Sequence, residues 1–250
     1  MKLNFTNKKY VITGVTSGIG KEVCTQLLSE GAIVLGIGRS GEKIDNLRSN
    51  YGLNKLQFIQ LDLSNIEDIE NALLIKLEEL GPFDGLLLCA GREETLPLSS
   101  YKPNKIKSLF EINIFSNIEM IRIFSKKKFS KRDASIVLIS SVMSILGQPG
   151  KVGYCSSKSA TLGLVKSSAL ELAKKKIRIN AISPGVVLTP MTKALFNQLS
   201  SENIGSIENM HPLGLGDVSQ IYPLVMFLLS DKSTWITGQN YIIDGGYSIH

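Results

Sequence analysis

The sequence predicts an α/β protein: one doubly wound domain, with a seven-stranded parallel sheet and helices on both faces. Three observations carry this. Short β-rich runs alternate with longer helical patterns from one end of the chain to the other. Several of those runs are almost continuously apolar, as strands covered on both faces must be. No linker, repeat or low-complexity tract interrupts the alternation, so residues 1–250 read as a single unit.

The strands, in order, are KYVIT (9–13), IVLGI (33–37), LQFIQ (56–60), GLLLC (85–89), SIVLIS (135–140), IRINAI (177–182) and NYIID (240–244). The intervals between them have room for crossover helices, which parallel neighbours require. The clearest helix is IEDIENALLIKLEEL, with apolar residues at helical spacing and Ser64 or Asn65 placed as its N-cap. Helices are also expected over 103–126 and 152–175, ending near Lys126–Lys128 and Lys174–Lys176. Residues 192–210 are polar and rich in Ser and Asn for a buried α/β unit, which predicts a mobile flap spanning about 190–212.

The composition, 43% hydrophobic and 20% charged, suits a sizeable buried core. No apolar run approaches the roughly 18 residues that span a bilayer, and no apolar segment precedes Lys8 and Lys9 to act as a secretory signal. Cys24, Cys89 and Cys155 are odd in number and widely spaced, reading as reduced thiols of a cytoplasmic protein. Two histidines without a Cys-x-x-Cys offer no metal site. The lysines behind the formal charge of +6 cluster in KKKFSKR and KKK without interleaved aromatics, which reads as solvated helix ends. Neither nucleic acid nor membrane is expected as a partner.

The first strand runs straight into TGVTSGIGKEV, with glycines 14, 18 and 20 at the strand-to-helix turn. Gly14 permits a tight turn. Gly18 and Gly20 let the backbone approach a pyrophosphate held by amides at the positive helix end, with Thr16, Ser17 and Ile19 between them. NAD sites often place an acid roughly 20 residues past such glycines. Here the second strand ends in LGIGRS, with Gly38 in the acid's place and Arg39 after it. An arginine without a neighbouring carboxylate suits a 2′-phosphate, with Ser40 and Lys43 assisting, so NADP(H) is favoured over NAD(H). Asp62 and Leu63 follow the third strand, where an adenine edge would lie, and Ala90–Gly91 ends the fourth with a close-approach glycine.

These features belong to a longer pattern: TG-x-x-x-G-x-G at 13–20, AG at 90–91, Asn113 in FEINIF, Ser141 in ISSV, Y-x-x-x-K at 154–158, PGVVLT at 184–189 and ITG…DGG at 236–246. Over essentially its whole length the chain resembles the short-chain dehydrogenase/reductase family, of the single-domain Rossmann type, and within it the subgroup that includes 3-oxoacyl-[acyl-carrier-protein] reductases. The resemblance implies a catalytic set of Asn113, Ser141, Tyr154 and Lys158. It implies cofactor contacts from Tyr154 and Lys158 themselves and from Pro184, Gly185, Val187 and Thr189. It implies a homotetramer built on helices 103–126 and 152–175 and the C-terminal segment. It also implies an acidic carrier protein as a partner, with Arg132 and Lys175 as docking candidates.

Simple chemistry supports the roles. A tyrosine titrates near 10, and Lys158 follows Tyr154 by one helical turn, so its charge is expected to favour the phenolate. Tyr154 would then protonate a carbonyl oxygen as hydride arrives, Ser141 would hydrogen-bond that oxygen, and Asn113 would hold a water connecting Lys158 to solvent. Glu93, Met143, Gln148, Val186 and Met191 are expected to line the substrate pocket. Ser140 is expected to face away from the site, Cys155 to pack within its helix, and His211 to lie at the surface or a hinge. Leu88–Cys89 replaces an asparagine pair common in the family. A non-catalytic dinucleotide-binding module and a dehydrogenase of a sugar or other small alcohol are the alternatives to carbonyl reduction.

Overall fold

The first strand, β1 (Lys9–Thr13), sends Val11 to one face of the sheet and Tyr10 and Ile12 to the other, and both faces are covered. The computed structural model describes residues 3–197 and 199–249. It joins β1 to β2 (Ile33–Gly38), β3 (Leu56–Gln60), β4 (Phe83–Leu88), β5 (Ser130–Ile139), β6 (Arg178–Pro184) and β7 (Asn240–Ile243). The seven strands form one sheet in the order β3-β2-β1-β4-β5-β6-β7, every pair parallel.

On one face lie α1 (Gly18–Ser29), α2 (Glu42–Tyr51) and, from the end of the chain, Val218–Leu229, packed through residues such as Val23, Leu27, Ile44 and Val225. On the other lie α3 (Ile69–Leu80), a helix over Ser116–Phe124 and a long one over Val152–Leu172, contributing Leu73, Phe124, Val165 and Leu172. The strand order reverses between β1 and β4. Connections from these two strands diverge to opposite sides and leave a crevice beyond their carboxyl ends, the usual ligand position in such sheets.

Several elements depart from expectation. β5 begins at Ser130, because a polar stretch pairs irregularly before Ser135 and carries Asp133 at φ 66. A polar, bulged start does not read as an apolar run. Neither Ser64 nor Asn65 caps α3. Instead the Asp62 carboxylate accepts from the Ser64 amide (3.0 Å) and hydroxyl (2.7 Å), and a 3-10 turn leads into the helix.

The helix expected over 103–126 is interrupted. It consists of α4 (Pro103–Phe110), a single π-helical turn (Glu111–Phe115) and α5 (Ser116–Phe124). α6 (Val152–Leu172) closes with a 3-10 turn and Lys176 in the left-handed region. The ends of α5 and α6 do emerge together, and the Lys175 Nζ donates to the Ser125 carbonyl at 2.5 Å.

Where a flap is expected stand two short helices, α7 (Pro190–Phe196) and α8 (Ser201–Asn209), while Gln198 lies outside the described residues. Thr189 and Ser200 cap them by accepting from the amides of Thr192 and Asn203. The hydroxyl-bearing residues that look like loop formers include the caps. α9 (Val218–Leu229) follows, capped by Asp217 and Gln220. Among the described residues no helix is long and apolar enough to cross a membrane.

Candidate active site

The glycine turn is built by close approach. Thr13 is fully buried, and its hydroxyl accepts from the amides of Cys89 (3.0 Å) and Ala90 (3.1 Å), joining the end of β1 to the end of β4. Gly14 has φ +69, and a β-carbon there would stand 2.9 Å from the Ala90 nitrogen. At Gly20 a β-carbon would stand 2.5 Å from the Gly14 carbonyl oxygen. Gly18 abuts the Thr189 methyl, while Ile19 is buried beneath the turn. Ser17, the N-cap of α1, makes no side-chain cap bond, and the first turn carries no acid, so the amides of that helix end remain open to an anion.

The crevice has a second wall. Pro184 ends β6, Gly185 passes so near Asp244 that a β-carbon would lie 2.8 Å from its Cα, and Val187 bridges to Gly216. Thus 13–20, 90–91 and 184–189, distant in sequence, meet at the switch point.

Beyond β2 lies an open cleft of about 650 Å³ lined by Arg39, Ser40, Gly41, Glu42, Asp45, Arg48, Phe58 and Gln60. A β-carbon on Gly38 would stand 3.1 Å from the Thr16 methyl and 3.4 Å from the Phe58 ring, so a ribose-binding acid has little room there. Lys43, expected to assist, does not line this cleft. Asp62 is engaged by Ser64, whose hydrogen bonds hold its carboxyl below the usual carboxylate range against burial, with Arg39 adding to the effect. The Leu63 side chain lies in the core.

At the chemical end, α6 carries Tyr154 and Lys158 toward β5. The Ser141 hydroxyl is a hydrogen-bonding neighbour of the phenol and also accepts from the Met143 amide at 3.2 Å. Lys158 is 7% exposed. Its Nζ donates to the Ile139 carbonyl at 3.0 Å and lies 5.8 Å from the centroid of the Tyr154 ring. A β-carbon at Gly91 would stand 3.3 Å from Asn113 Oδ1 and 3.5 Å from Lys158 Nζ, so the cofactor wall and the chemical end touch.

Asn113 sits in the π-helical turn, 1% exposed. Its amide donates to the Arg92 carbonyl (2.9 Å) and the Ser157 hydroxyl (3.0 Å), and its Oδ1 accepts from the Arg92 amide (2.8 Å). Its backbone carbonyl accepts from Asn117 Nδ2 at 2.7 Å. Beside it the Ser116 hydroxyl donates to the Ile112 carbonyl at 2.7 Å.

The electrostatics correct one expectation. Burial pushes the Tyr154 phenol above its ordinary value against the Ser141 hydrogen bond, rather than Lys158 drawing it down. Burial also pulls the Lys158 ammonium down to about 8, opposed by the Cys89 thiol. That thiol is itself pushed up to about 11 by burial. Near neutral pH the pair is therefore a phenol beside an ammonium, the protonated form that a donor to a carbonyl requires.

Other residues differ from expectation too. Ser140 turns to α6 and donates to the Lys158 carbonyl at 3.2 Å. His211 is buried: Nε2 accepts from the Val186 amide at 3.2 Å, Nδ1 donates to the Ile207 carbonyl at 2.8 Å, and the ring lies 4.7 Å from that of Tyr247. It ties the segment after β6 to the end of α8. Of the expected pocket residues, Met143 is buried, Gln148 and Val186 are half-buried and Met191 is exposed. Glu93 is committed to the buried Lys151 ammonium, which also donates to Thr95 at 2.6 Å. Lys151, Ser157, Asn117 and Arg48 are missed by sequence reasoning, since only tertiary structure gives them partners.

Residues 14–248 match the family model described as enoyl-(acyl carrier protein) reductase. The 3-oxoacyl-[acyl-carrier-protein] reductase of Thermotoga maritima is 32% identical over 250 residues, covering 99% of this chain and 100% of that protein. The Escherichia coli K12 protein of the same name is 30% identical over 245 residues, 98% of each chain. Among solved structures, 4-hydroxyisoleucine dehydrogenase complexed with NADH superposes with a TM-score of 0.88 at 31% identity, over 98% of this chain and 100% of that one. ElxO with NADP bound gives 0.86 at 30%, with the same coverage. A doubly wound sheet with a crevice at its switch point is an architecture that binds nucleotides. The chain belongs to the short-chain dehydrogenase/reductase family, and it is similar to the 3-oxoacyl-[acyl-carrier-protein] reductases within it.

Proposed function

We propose that the protein is an NADP(H)-dependent carbonyl reductase that converts a ketone to a secondary alcohol with Tyr154 as proton donor. The observation that carries this is the Tyr154 phenol, its pKa raised by burial, with the Ser141 hydroxyl as its neighbour and the Lys158 ammonium 5.8 Å from the ring centroid. Ser141 donates a hydrogen bond to the carbonyl oxygen, Tyr154 gives it a proton, and Lys158 offsets the charge of the phenolate left behind. Asn113 stands beside Lys158 across Gly91, where a water would replace the proton.

The residues fit the cofactor. A nicotinamide dinucleotide, when bound, supplies the hydride. The amides of Thr16, Ser17, Gly18, Ile19 and Gly20 serve its pyrophosphate, Arg39 and Ser40 its 2′-phosphate, and Asp62 and Leu63 the adenine. Ala90, Gly91, Tyr154 and Lys158 serve the nicotinamide ribose, and Pro184, Gly185, Val187 and Thr189 the ring. The tight space at Gly38, where a β-carbon would crowd Thr16 and Phe58, supports NADP(H) over NAD(H).

The substrate we favour is a 3-oxoacyl chain on an acidic carrier, by likeness to the reductases named above. The basic helix ends are in part occupied: Lys126 pairs with Glu70, Lys131 with Asp84, and Lys175 with the Ser125 carbonyl. Arg132 lies near the start of β5, at the edge opposite the strand ends where Tyr154 stands. A carrier docked there reaches the site only of a second copy, so this reading goes with a homotetramer. An apolar groove of about 470 Å³ along α4, lined by Tyr101, Pro103, Ile106, Phe110 and Phe115, supports such association. The three free thiols support a cytoplasmic setting. α7 and α8, which bury no residue completely, form the flap over the substrate. The likeness to 4-hydroxyisoleucine dehydrogenase favours, as a second reading, a small polar alcohol.

Oxidation of NADPH with acetoacetyl thioesters, small ketones and 2-amino ketones as substrates separates these readings. Tyr154→Phe is expected to lower turnover at least a hundredfold while NADPH affinity changes little, since positioned proton transfer contributes about 10²–10⁴. A variant keeping more than a few per cent of the wild-type rate contradicts the assignment, and a wild type inert toward every carbonyl would favour a binding module.

A further inference from the structure

The cleft beyond β2 holds a second guanidinium. Arg48 projects from α2, and its Cζ lies 5.9 Å from the centroid of the Phe58 ring, which is carried by β3. Stacking of this kind fixes the plane of the guanidinium on a side chain that belongs to the sheet. Yet its hydrogen-bonding fork is almost idle. Nε is buried without a partner, and NH1 has a single distant approach to Asp45 at 3.5 Å. A buried donor without a partner is destabilising unless another group takes its hydrogen bond.

Across the same cleft stand Arg39 and Ser40, and Gly41, the N-cap of α2, provides no side-chain cap to that helix. Glu42 and Asp45 also line the cleft and offset its charge. A loosely held anion therefore gains little. A dianion that engages both guanidinia in fork geometry gains most, because paired charge-assisted hydrogen bonds are both strong and directional.

We propose that Arg48 is a second cation on the cofactor 2′-phosphate, facing Arg39 across it, and that the two together make the preference for NADP(H) strict. The proposal rests on the NADP(H) reading and adds to it a residue on a different element.

The test is equilibrium binding, without turnover. Dissociation constants for NADPH and NADH are measured by fluorescence, and stabilisation by adenosine 2′-monophosphate and adenosine 5′-monophosphate by thermal shift. Wild type, Arg39→Ala, Arg48→Ala and Arg48→Gln are compared; the glutamine keeps a stem over Phe58 should the alanine variant fail to fold. Both Arg48 substitutions are expected to weaken NADPH at least tenfold, to move NADH less than twofold, and to abolish the stabilisation specific to the 2′-monophosphate. If wild type prefers NADPH and Arg39→Ala loses that preference while both Arg48 variants stay within twofold, Arg48 has no such role and the NADP(H) reading survives. Equal weakening of both dinucleotides would make Arg48 a packing residue and overturn the proposal. A wild type that holds NADH as tightly as NADPH removes the proposal together with the cofactor reading.

Discussion

The glycine turn at 13–20 and the π-helical turn at 111–115 both shape backbone at the same crevice, yet only the first is visible in the sequence. At the glycine turn the residue type is the cause. Gly14 must adopt positive φ, and Gly20 must come within a bond length or two of another backbone segment, so no side chain is admissible. At the π turn the residues are ordinary helix formers, EINIF, and the distortion is held by partners elsewhere: Arg92, Ser157 and Asn117. Local chemistry leaves a local signature, whereas a conformation imposed by tertiary hydrogen bonds does not.

The largest effect should come from breaking the first region. Gly20→Ala places a methyl 2.5 Å from the Gly14 carbonyl oxygen, and neither backbone segment has room to retreat. A loss of about 3 kcal/mol or failure to accumulate as folded protein is expected, as for severe overpacking. Urea unfolding checks it; a loss under about 1 kcal/mol would mean the turn is more compliant than its contacts imply.

Asn113→Ala strikes the second region. It leaves the Arg92 amide and carbonyl without their partner beside a buried Ser157. Unsatisfied buried groups typically cost about 1–3 kcal/mol, so a loss near 2–3 kcal/mol is expected in the same assay, with a fall in turnover. An unchanged melt would show that the π turn stands without its side-chain anchors.

The same distinction governs what was legible overall. The seven strands and their order of appearance follow from apolar runs, while the polar start of β5 at Ser130 does not. The motif residues at 13–20, 90–91, 113, 141, 154–158 and 184–189 do converge on one crevice. Arg48 does not stand out because α2 is polar on most of its surface and nothing in EKIDNLRSNY marks the Phe58 face. His211 reads as a surface residue because its burial depends on Val186, Ile207 and Tyr247, none of which its own neighbours announce. The direction of the Tyr154 shift is hidden for a related reason: spacing reveals the nearby lysine, and only the fold shows that burial raises the phenol and lowers the ammonium.

That desolvation predicts opposed pH profiles. Lys158 titrates at about 8 in the folded chain, below its ordinary value, so between pH 8 and the ordinary lysine range the unfolded chain binds more protons and stability rises with pH. The reductive rate runs the other way, falling about tenfold between pH 7 and pH 9 as the ammonium is lost. Lys158→Met should be more stable than wild type at pH 7 and lack the Lys158 contribution to the rise. A rate that stays flat to pH 10 would show that the ammonium is not required for proton donation.

The smallest effect, and the sharpest test of the comparison, concerns Asn117. It lies on α5 outside the family motifs, 7% exposed, and its Nδ2 meets the Asn113 carbonyl at 2.7 Å. The bond is a side-chain contact over four residues that braces the π turn from the helix that follows it. Asn117→Ala removes this brace and offers the helix a good helix former, so two forces compete. Loss of one buried hydrogen bond costs about 1 kcal/mol. Reversion to regular α-helix would rotate Asn113 away from Arg92 and Ser157 and forfeit three bonds. The turn is therefore expected to persist, with stability down by about 1 kcal/mol, NADPH affinity unchanged and turnover within about threefold of wild type. Should Asn117→Ala instead match Asn113→Ala in both stability and rate, the π turn is held by this one bond, and the side-chain anchors on Arg92 and Ser157 merely follow it.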